Sequence, residues 1–266
     1  MSAAAYRARS ATELIDATFQ LLRRNAAAFF TLSAMFTIPN TILQAMFMRP
    51  VLGQTSALGT AGPALSGFLV YYVGALALGA LFQTAMIRAA SEAYLGKPVV
   101  VAEEIKNAIP KWLAVFIAFI ATTICVLLGA IAFFVGAIYV GLVLFAVPTV
   151  IIFENASLGT AFSRSSSLSK GLKGHVFLTL LLAGLIYIVG YVIVIIVSGI
   201  MLTIPAYGLY AQLVVQGLGL TLIVPVFPIV ATLVYYDARI RKEGFDIELM
   251  AQQVGGPTGA TQQQPA

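Results

Sequence analysis

The stretch WLAVFIAFIATTICVLLGAIAFFVGAIYVGLVLFAVPTVIIF, Trp112 to Phe153, runs for 42 residues without one charged side chain. As a single helix it would be about 63 Å long, twice the roughly 30 Å that a bilayer's hydrocarbon core requires. It reads instead as two membrane spans joined by a hairpin with almost no polar loop. Gly129, Gly136 and Gly141 offer places to turn, and the turn is expected near Phe133 to Ala137.

The rest of the chain agrees with a membrane reading. Of 266 residues, 60% are hydrophobic and 9% are charged, whereas a soluble domain carries about 25% charged residues. The mean hydropathy of +0.97 points the same way. A soluble enzyme is excluded on this ground, and the chain belongs among all-α polytopic membrane proteins. Working outward from Trp112–Phe153, further apolar runs occur at Ala26–Met48, Gly67–Ile87, Val176–Leu202 and Leu213–Tyr236. Pro205 and Gly208 break the chain between the last two. Six spans result.

Charge tests that count. Arg7, Arg9, Arg23 and Arg24 precede the first span, and Arg88, Lys97, Lys106 and Lys111 follow the second. Arg164, Lys170 and Lys173 follow the fourth, and Arg239, Arg241 and Lys242 follow the sixth. With six spans, 14 of the 15 basic residues share one side and only Arg49 lies on the other. All ten acidic residues fall on or at the edge of that same side. The positive-inside rule then makes both termini cytoplasmic. Reading Trp112–Phe153 as one span would divide the basic loops between two faces, so parity supports the hairpin independently. A secretory signal is not expected, because the first apolar stretch is too long and about 25 mostly polar residues precede it. Arg23-Arg24 is read as a charge anchor, since Asn25-Ala26-Ala27 lacks the rest of a twin-arginine pattern.

Each odd-numbered span is preceded by a short amphipathic segment. In Ser10–Arg24, Ser10 and Glu13 have capping-box spacing, and Leu14, Ile15, Thr18, Phe19 and Leu22 share one face. In Val101–Ile109, apolar residues recur at Val101, Ile105 and Ile109. In Ser157–Lys170, Leu158, Phe162 and Leu168 fall on or near one face. These predict three interfacial helices along the inner leaflet, each leading into a hairpin. The competing reading is that any long loop between membrane helices contains some helix. The organisation expected is a cytoplasmic amphipathic helix over 1–25, a six-helix membrane domain over 26–236, and a cytoplasmic tail over 237–266, disordered from about residue 251.

The residues say less about chemistry. No ionisable group remains in the middle of any span, which argues against an ion-coupled transporter. Passage of an uncharged solute, or one held by backbone carbonyls, stays open. Pro39, Pro148, Pro225 and Pro228 should kink their helices, mainly for packing shape, although a kink can also open a ligand gap. Ala75 with Gly79, and Ala132 with Gly136, suit close helix contacts within or between subunits. Cys125 is the single cysteine and His175 the single histidine, so no metal site is expected and no cofactor is implied. The serines of Ser163–Ser169 show no triad spacing with His175, so no catalytic residue is assigned. Asn155-Ala156-Ser157 matches a glycosylation acceptor but would face the cytoplasm. The basic residues are too few and scattered for nucleic acid. Arg164, Lys170 and Lys173, set among hydroxyls beside the inner leaflet, are candidate contacts for an anionic lipid head group, with ordinary positive-inside charge as the plainer reading.

The exit from the last span is the most distinctive text: Tyr235-Tyr236-Asp237-x-Arg239-x-Arg241-x-Glu243-Gly244-Phe245-Asp246. It resembles the closing run of bacterial membrane proteins related to the glycerophosphoryl diester phosphodiesterase membrane domain. Pro148–Glu154, leading to Ala161-Phe162-Ser163-Arg164-Ser165 and Leu168-Ser169-Lys170-Gly171, is similar to that family's middle loop. Glu13–Arg24 is similar to its opening amphipathic helix. Ser166 and Gly174-His175 depart from the pattern, standing where aromatic residues are common. The resemblance implies a six-helix integral membrane protein of bacterial type. In the family's namesakes a separate soluble barrel does the catalysis, and no room for one follows Met250, so the enzymatic activity is not carried over. The expectation is a non-enzymatic protein of the bacterial plasma membrane. It would bind membrane lipids, or another membrane protein or a second copy of itself, in upkeep of the envelope. The alternative is a permease-like component for an uncharged or lipid-like solute.

Overall fold

The computed structural model of the chain describes residues 7–48, 61–132 and 134–247. Arg49, Phe133 of the expected turn, Glu248 and the tail expected to be disordered lie outside these. The described residues form α1 (Ala11–Arg24), α2 (Ala26–Leu43) running into a π-helical turn (Gln44–Met48), α3 (Ala61–Tyr94), α4 (Val101–Ala132) and α5 (Phe134–Val143). Then follow α6 (Val147–Glu154), α7 (Leu158–Ser169), α8 (Lys173–Met201), α9 (Gly208–Ile223) and α10 (Val226–Glu243). Among the described residues six helical segments are long and apolar enough to cross a membrane: Ala26–Phe47, Ser66–Tyr94, Val101–Ile131, Val135–Glu154, Lys173–Met201 and Gly208–Glu243. The fold is that of an all-α polytopic membrane protein.

Trp112–Phe153 folds as the hairpin its length requires. α4, ending at Ala132, and α5, starting at Phe134, pack against each other. The reversal is tight because Gly129 and Gly136 let the two backbones touch: a Cβ on Gly136 would run into the Gly129 carbonyl. Gly141 plays no such part, having open space around it. The fourth span is broken between α5 and α6, where Leu144–Ala146 leave helical geometry. Ser165 of α7, fully buried, satisfies the break. Its hydroxyl donates to the Val143 carbonyl (2.7 Å) and accepts from the Ala146 N–H (3.1 Å). The sixth span is interrupted too: α9 ends at Ile223 and α10 starts at Val226, with Pro225 as its N-cap and no side chain bonded into the break.

Two of the three short amphipathic helices are separate elements, α1 and α7. The second is not: Val101–Ile109 is the opening of α4, which continues through Pro110. The buried stripe Glu104, Ala108, Val115, Ala118 keeps its helical phase across the proline, and packing on α3 holds the helix together there. The spans accordingly begin and end further out than hydropathy suggests, α3 reaching Tyr94 and α4 starting at Val101. The apolar face of α1 packs on protein. Ala11, Leu14, Ile15, Thr18 and Leu22 are buried against α8 and α10, while Phe19 is left exposed. Both short helices cover the charged end of the bundle, and α10 lies at its centre with Ile229, Leu233 and Tyr235 fully enclosed.

Candidate functional site

The exit motif is where the charged end is assembled. α10 continues straight from the bundle interior, so its last two turns carry Tyr235, Tyr236 and Asp237 while still buried. Tyr235 donates its hydroxyl proton to Glu154 Oε1 at the end of α6 (2.8 Å). The Tyr236 hydroxyl lies 2.6 Å from Ser91 Oγ on α3. Gly244 ends the helix in the left-handed conformation (φ 64°), its N–H returning to the Ile240 carbonyl. That reversal lays Phe245 flat on Tyr236 (centroids 5.6 Å apart), with the Arg239 guanidinium 3.9 Å above the Phe245 ring. A residue with a Cβ is disfavoured at such a cap, which gives the glycine in the motif its physical reason.

Two polar clusters flank α10. In the first, Arg164 of α7 donates to Glu154 Oε2 (2.9 Å) and to Glu243 Oε2 (2.9 Å), and Arg239 donates to the same Glu243 oxygen (3.0 Å). The hydrogen bond to Glu243 is the main reason the Arg164 guanidinium is held even more firmly protonated than usual. In the second, Asp237, only 3% exposed, accepts from the Arg9 backbone N–H (2.7 Å) and from Arg241 Nε (2.7 Å). His175 Nε2, at the start of α8, lies 2.9 Å from Asp237 Oδ2, at ion-pairing distance but off the hydrogen-bonding line. Arg241 also donates to the Arg9 carbonyl (2.6 Å), so Arg9 is held at both backbone groups. A third link, Arg88 to the buried Glu104 at 3.2 Å, ties α3 to α4.

The loop cations do not converge. Arg164 is turned inward to its two carboxylates, Lys173 donates to the Tyr139 hydroxyl (2.6 Å), and Lys170 is exposed at the end of α7. Of the kink prolines, Pro148 lies in the first turn of α6, Pro225 caps α10, Pro228 follows in its first turn, and Pro39 lies inside α2 just before the π-helical turn. Asp246 is half-buried beyond the Gly244 cap. Among the described residues no three His, Cys, Asp or Glu side chains come together.

A cavity of about 650 Å³ lies between α2, α3, α4, α8 and α10, where Val224, Phe227 and Pro228 line it. Ala75 and Gly79 of α3 and Gly184 of α8 make the room for it, and the stacked rings of Phe36 and Phe82 wall one side. Ala75 and Gly79 thus line a space rather than a close helix contact; the nearest atom to a Cβ on Gly79 is Phe36 Cε2, at 3.9 Å. Gln83 is the amide in an otherwise apolar and aromatic wall that includes Tyr72 and Tyr187. A hydroxyl and amide seam runs between α2 and α9: Thr37 Oγ1 and Thr221 Oγ1 are 2.6 Å apart, and Gln216 donates to Gln44 (3.0 Å). Gln83, Gln44 and Gln216 stand out as amides in apolar runs, but a search confined to ionisable groups passes over them.

The fold and the charged end define a multi-pass helical membrane protein. Set against protein-family models, curated proteins and solved structures, the chain matches none.

Proposed function

We propose that this chain is a lipid-binding module of the bacterial plasma membrane, with both termini cytoplasmic, that serves envelope upkeep without catalysis of its own. The single observation carrying the reading is the apolar cavity beside Gln83. Its volume of about 650 Å³ falls within the range of roughly 300–1,000 Å³ typical of small-molecule sites. Its apolar and aromatic wall, set within the membrane-crossing helices, suits a hydrocarbon chain, and one amide suits an ester or hydroxyl oxygen on that chain. Arg164 serves the architecture through Glu154 and Glu243, leaving Lys170 and Lys173 to meet the head-group surface. The resemblance of the exit motif to bacterial phosphodiesterase membrane domains supports the bacterial assignment. The test is mild extraction followed by mass analysis of co-purified lipid. Gly79→Leu and Gly184→Leu, which fill the cavity, should abolish retention of the lipid while the protein stays folded. Retention equal to that of the parent protein would reject the cavity as the site.

The second reading, a permease-like component for an uncharged or lipid-like solute, is favoured by the Thr37–Thr221 and Gln44–Gln216 seam. Purified protein in liposomes would then pass a neutral solute, and Thr37→Val with Thr221→Val would slow it. A lipid-binding module shows no flux.

A further inference from the structure

A second, smaller cleft lies at the charged end between α1 and the end of α3. It measures about 120 Å³ and is lined by Arg9, Gln20, Arg24, Asn25 and Tyr94, among others. We propose that this cleft binds the phosphate group of an anionic phospholipid in the leaflet facing the charged end. The proposal deepens the lipid-binding reading by naming a head-group class and a site apart from the cavity at Gln83.

Chemistry, depth and preorganisation support it. Two guanidiniums, two amides and a phenol line the cleft, and no carboxylate does among the described residues. Guanidinium forks match the paired oxygens of a phosphate. The Gln20 amide adds a neutral donor beside Asn25, whose own amide also donates to the Leu21 carbonyl (3.3 Å). Two of the nearby acids among the described residues are engaged elsewhere. Glu13 is bound by the Ser10 N–H (2.8 Å) and by Arg7. Asp237 holds Arg241. Asp16 and Glu13 line an adjoining cleft that shares Arg9, Ala17 and Gln20 with this one.

Depth is set by the elements. Asn25 immediately precedes the first membrane-crossing segment, Ala26–Phe47, and Tyr94 ends the second, Ser66–Tyr94. The cleft therefore sits where head groups lie, and Tyr94 is a residue type favoured at that level. Seven residues further along α2, about 10 Å deeper, Leu32 and Phe36 meet Leu81, Phe82 and Ala85 of α3 in an apolar crevice. A phosphate in the cleft would carry its acyl chain toward that crevice, which a free phosphate would leave empty.

The cleft is also preformed. Asp237 and Arg241 hold the Arg9 backbone at its N–H and its carbonyl, and the Arg9 guanidinium carbon lies 5.8 Å from the centre of the Tyr94 ring. The long side chain thus leaves a fixed anchor point, which reduces the ordering cost of binding.

Native mass spectrometry of the full chain in nanodiscs containing phosphatidylglycerol and phosphatidylethanolamine tests the site. The parent protein should retain phosphatidylglycerol preferentially, and excess inorganic phosphate should not displace it. Arg24→Gln, an exposed change that leaves the core intact, should weaken that preference about tenfold, as loss of one charge-assisted contact implies. Arg9→Gln with Arg24→Gln should remove it. Lys106→Gln, which deletes an exposed cation elsewhere, should leave it unchanged. If the double variant keeps the parent's preference, or if Lys170→Gln with Lys173→Gln removes it, this cleft is not the site although lipid binding stands. Displacement by inorganic phosphate would make a soluble phosphate the ligand and overturn the assignment to lipid. Retention of no lipid by the parent protein would overturn both this site and the lipid-binding reading.

Discussion

Asp237 is the residue on which the charged end turns. It is nearly inaccessible, and three groups from three parts of the chain depend on it: the Arg9 amide, the Arg241 guanidinium and the His175 ring. Removing the buried carboxylate strips the Arg9 N–H of its acceptor, while the partly exposed Arg241 can turn to water. Asp237→Ala should therefore cost about 1–3 kcal/mol, read as a lowered thermal midpoint in detergent. Asp237→Asn keeps an acceptor for the Arg9 N–H and should cost less. Glu13 offers a second test. The Ser10 backbone N–H, and after it Arg7, hold its carboxyl down to about 2, from an ordinary 4.5. A lowered value in the folded state means stabilisation present above pH 4.5 and lost as pH falls through about 2. Protection of the first-turn amides of α1 against hydrogen exchange should persist at pH 3.5 in the parent and be weaker there in Glu13→Ala. Ser10 and Glu13 were legible as a capping box because the signal is local in the chain. Asp237 was legible only as part of a motif, since its partners Arg9 and His175 are distant in the chain and nothing in the text pairs them.

At the scale of elements, the outcome depends on which glycines touch backbone. Gly136 meets Gly129 across the α4–α5 turn, whereas Gly141 meets nothing. Gly136→Leu should unseat the hairpin and depress folded yield sharply, while Gly141→Ala should be neutral or slightly stabilising, since alanine is the better helix former by about 1 kcal/mol. Ser165→Ala strips both hydrogen bonds from the break between α5 and α6 and should cost about 1–3 kcal/mol, measurable by thermal unfolding. The hairpin itself could be read from length and charge parity, because a bilayer fixes how much apolar helix is needed. The merging of Val101–Ile109 into α4 could not. Pro110 signals an end, and only the continuous stripe of buried residues, set by α3, overrides it. The cavity was likewise hidden: Ala75 and Gly79 at one-turn spacing are written identically whether they admit another helix or leave a gap.

For the whole molecule, the charges that decided the topology in the sequence become the internal fastening of one end. Arg164, Arg239 and Arg241 pair with Glu154, Glu243 and Asp237. The orientation has a direct test in a Cys125→Ala background. A membrane-impermeant maleimide should label Glu13→Cys only in inside-out vesicles, and Tyr207→Cys, between α8 and α9, only from the opposite side. The fastening also dictates an order of assembly. Asp237 lies 228 residues after Arg9, on the helix that enters the bundle after all the others. During synthesis, at roughly 5–20 residues per second, the earlier helices must wait in the bilayer with α1 able to dock on α8 alone, its α10-facing side and the Arg9 backbone still without their partner. α10 is thus a keystone set last. Nascent chains halted before Val226 should leave α1 more open to added protease than chains extended past Phe245, so biogenesis rather than the finished protein is where this bundle is most vulnerable.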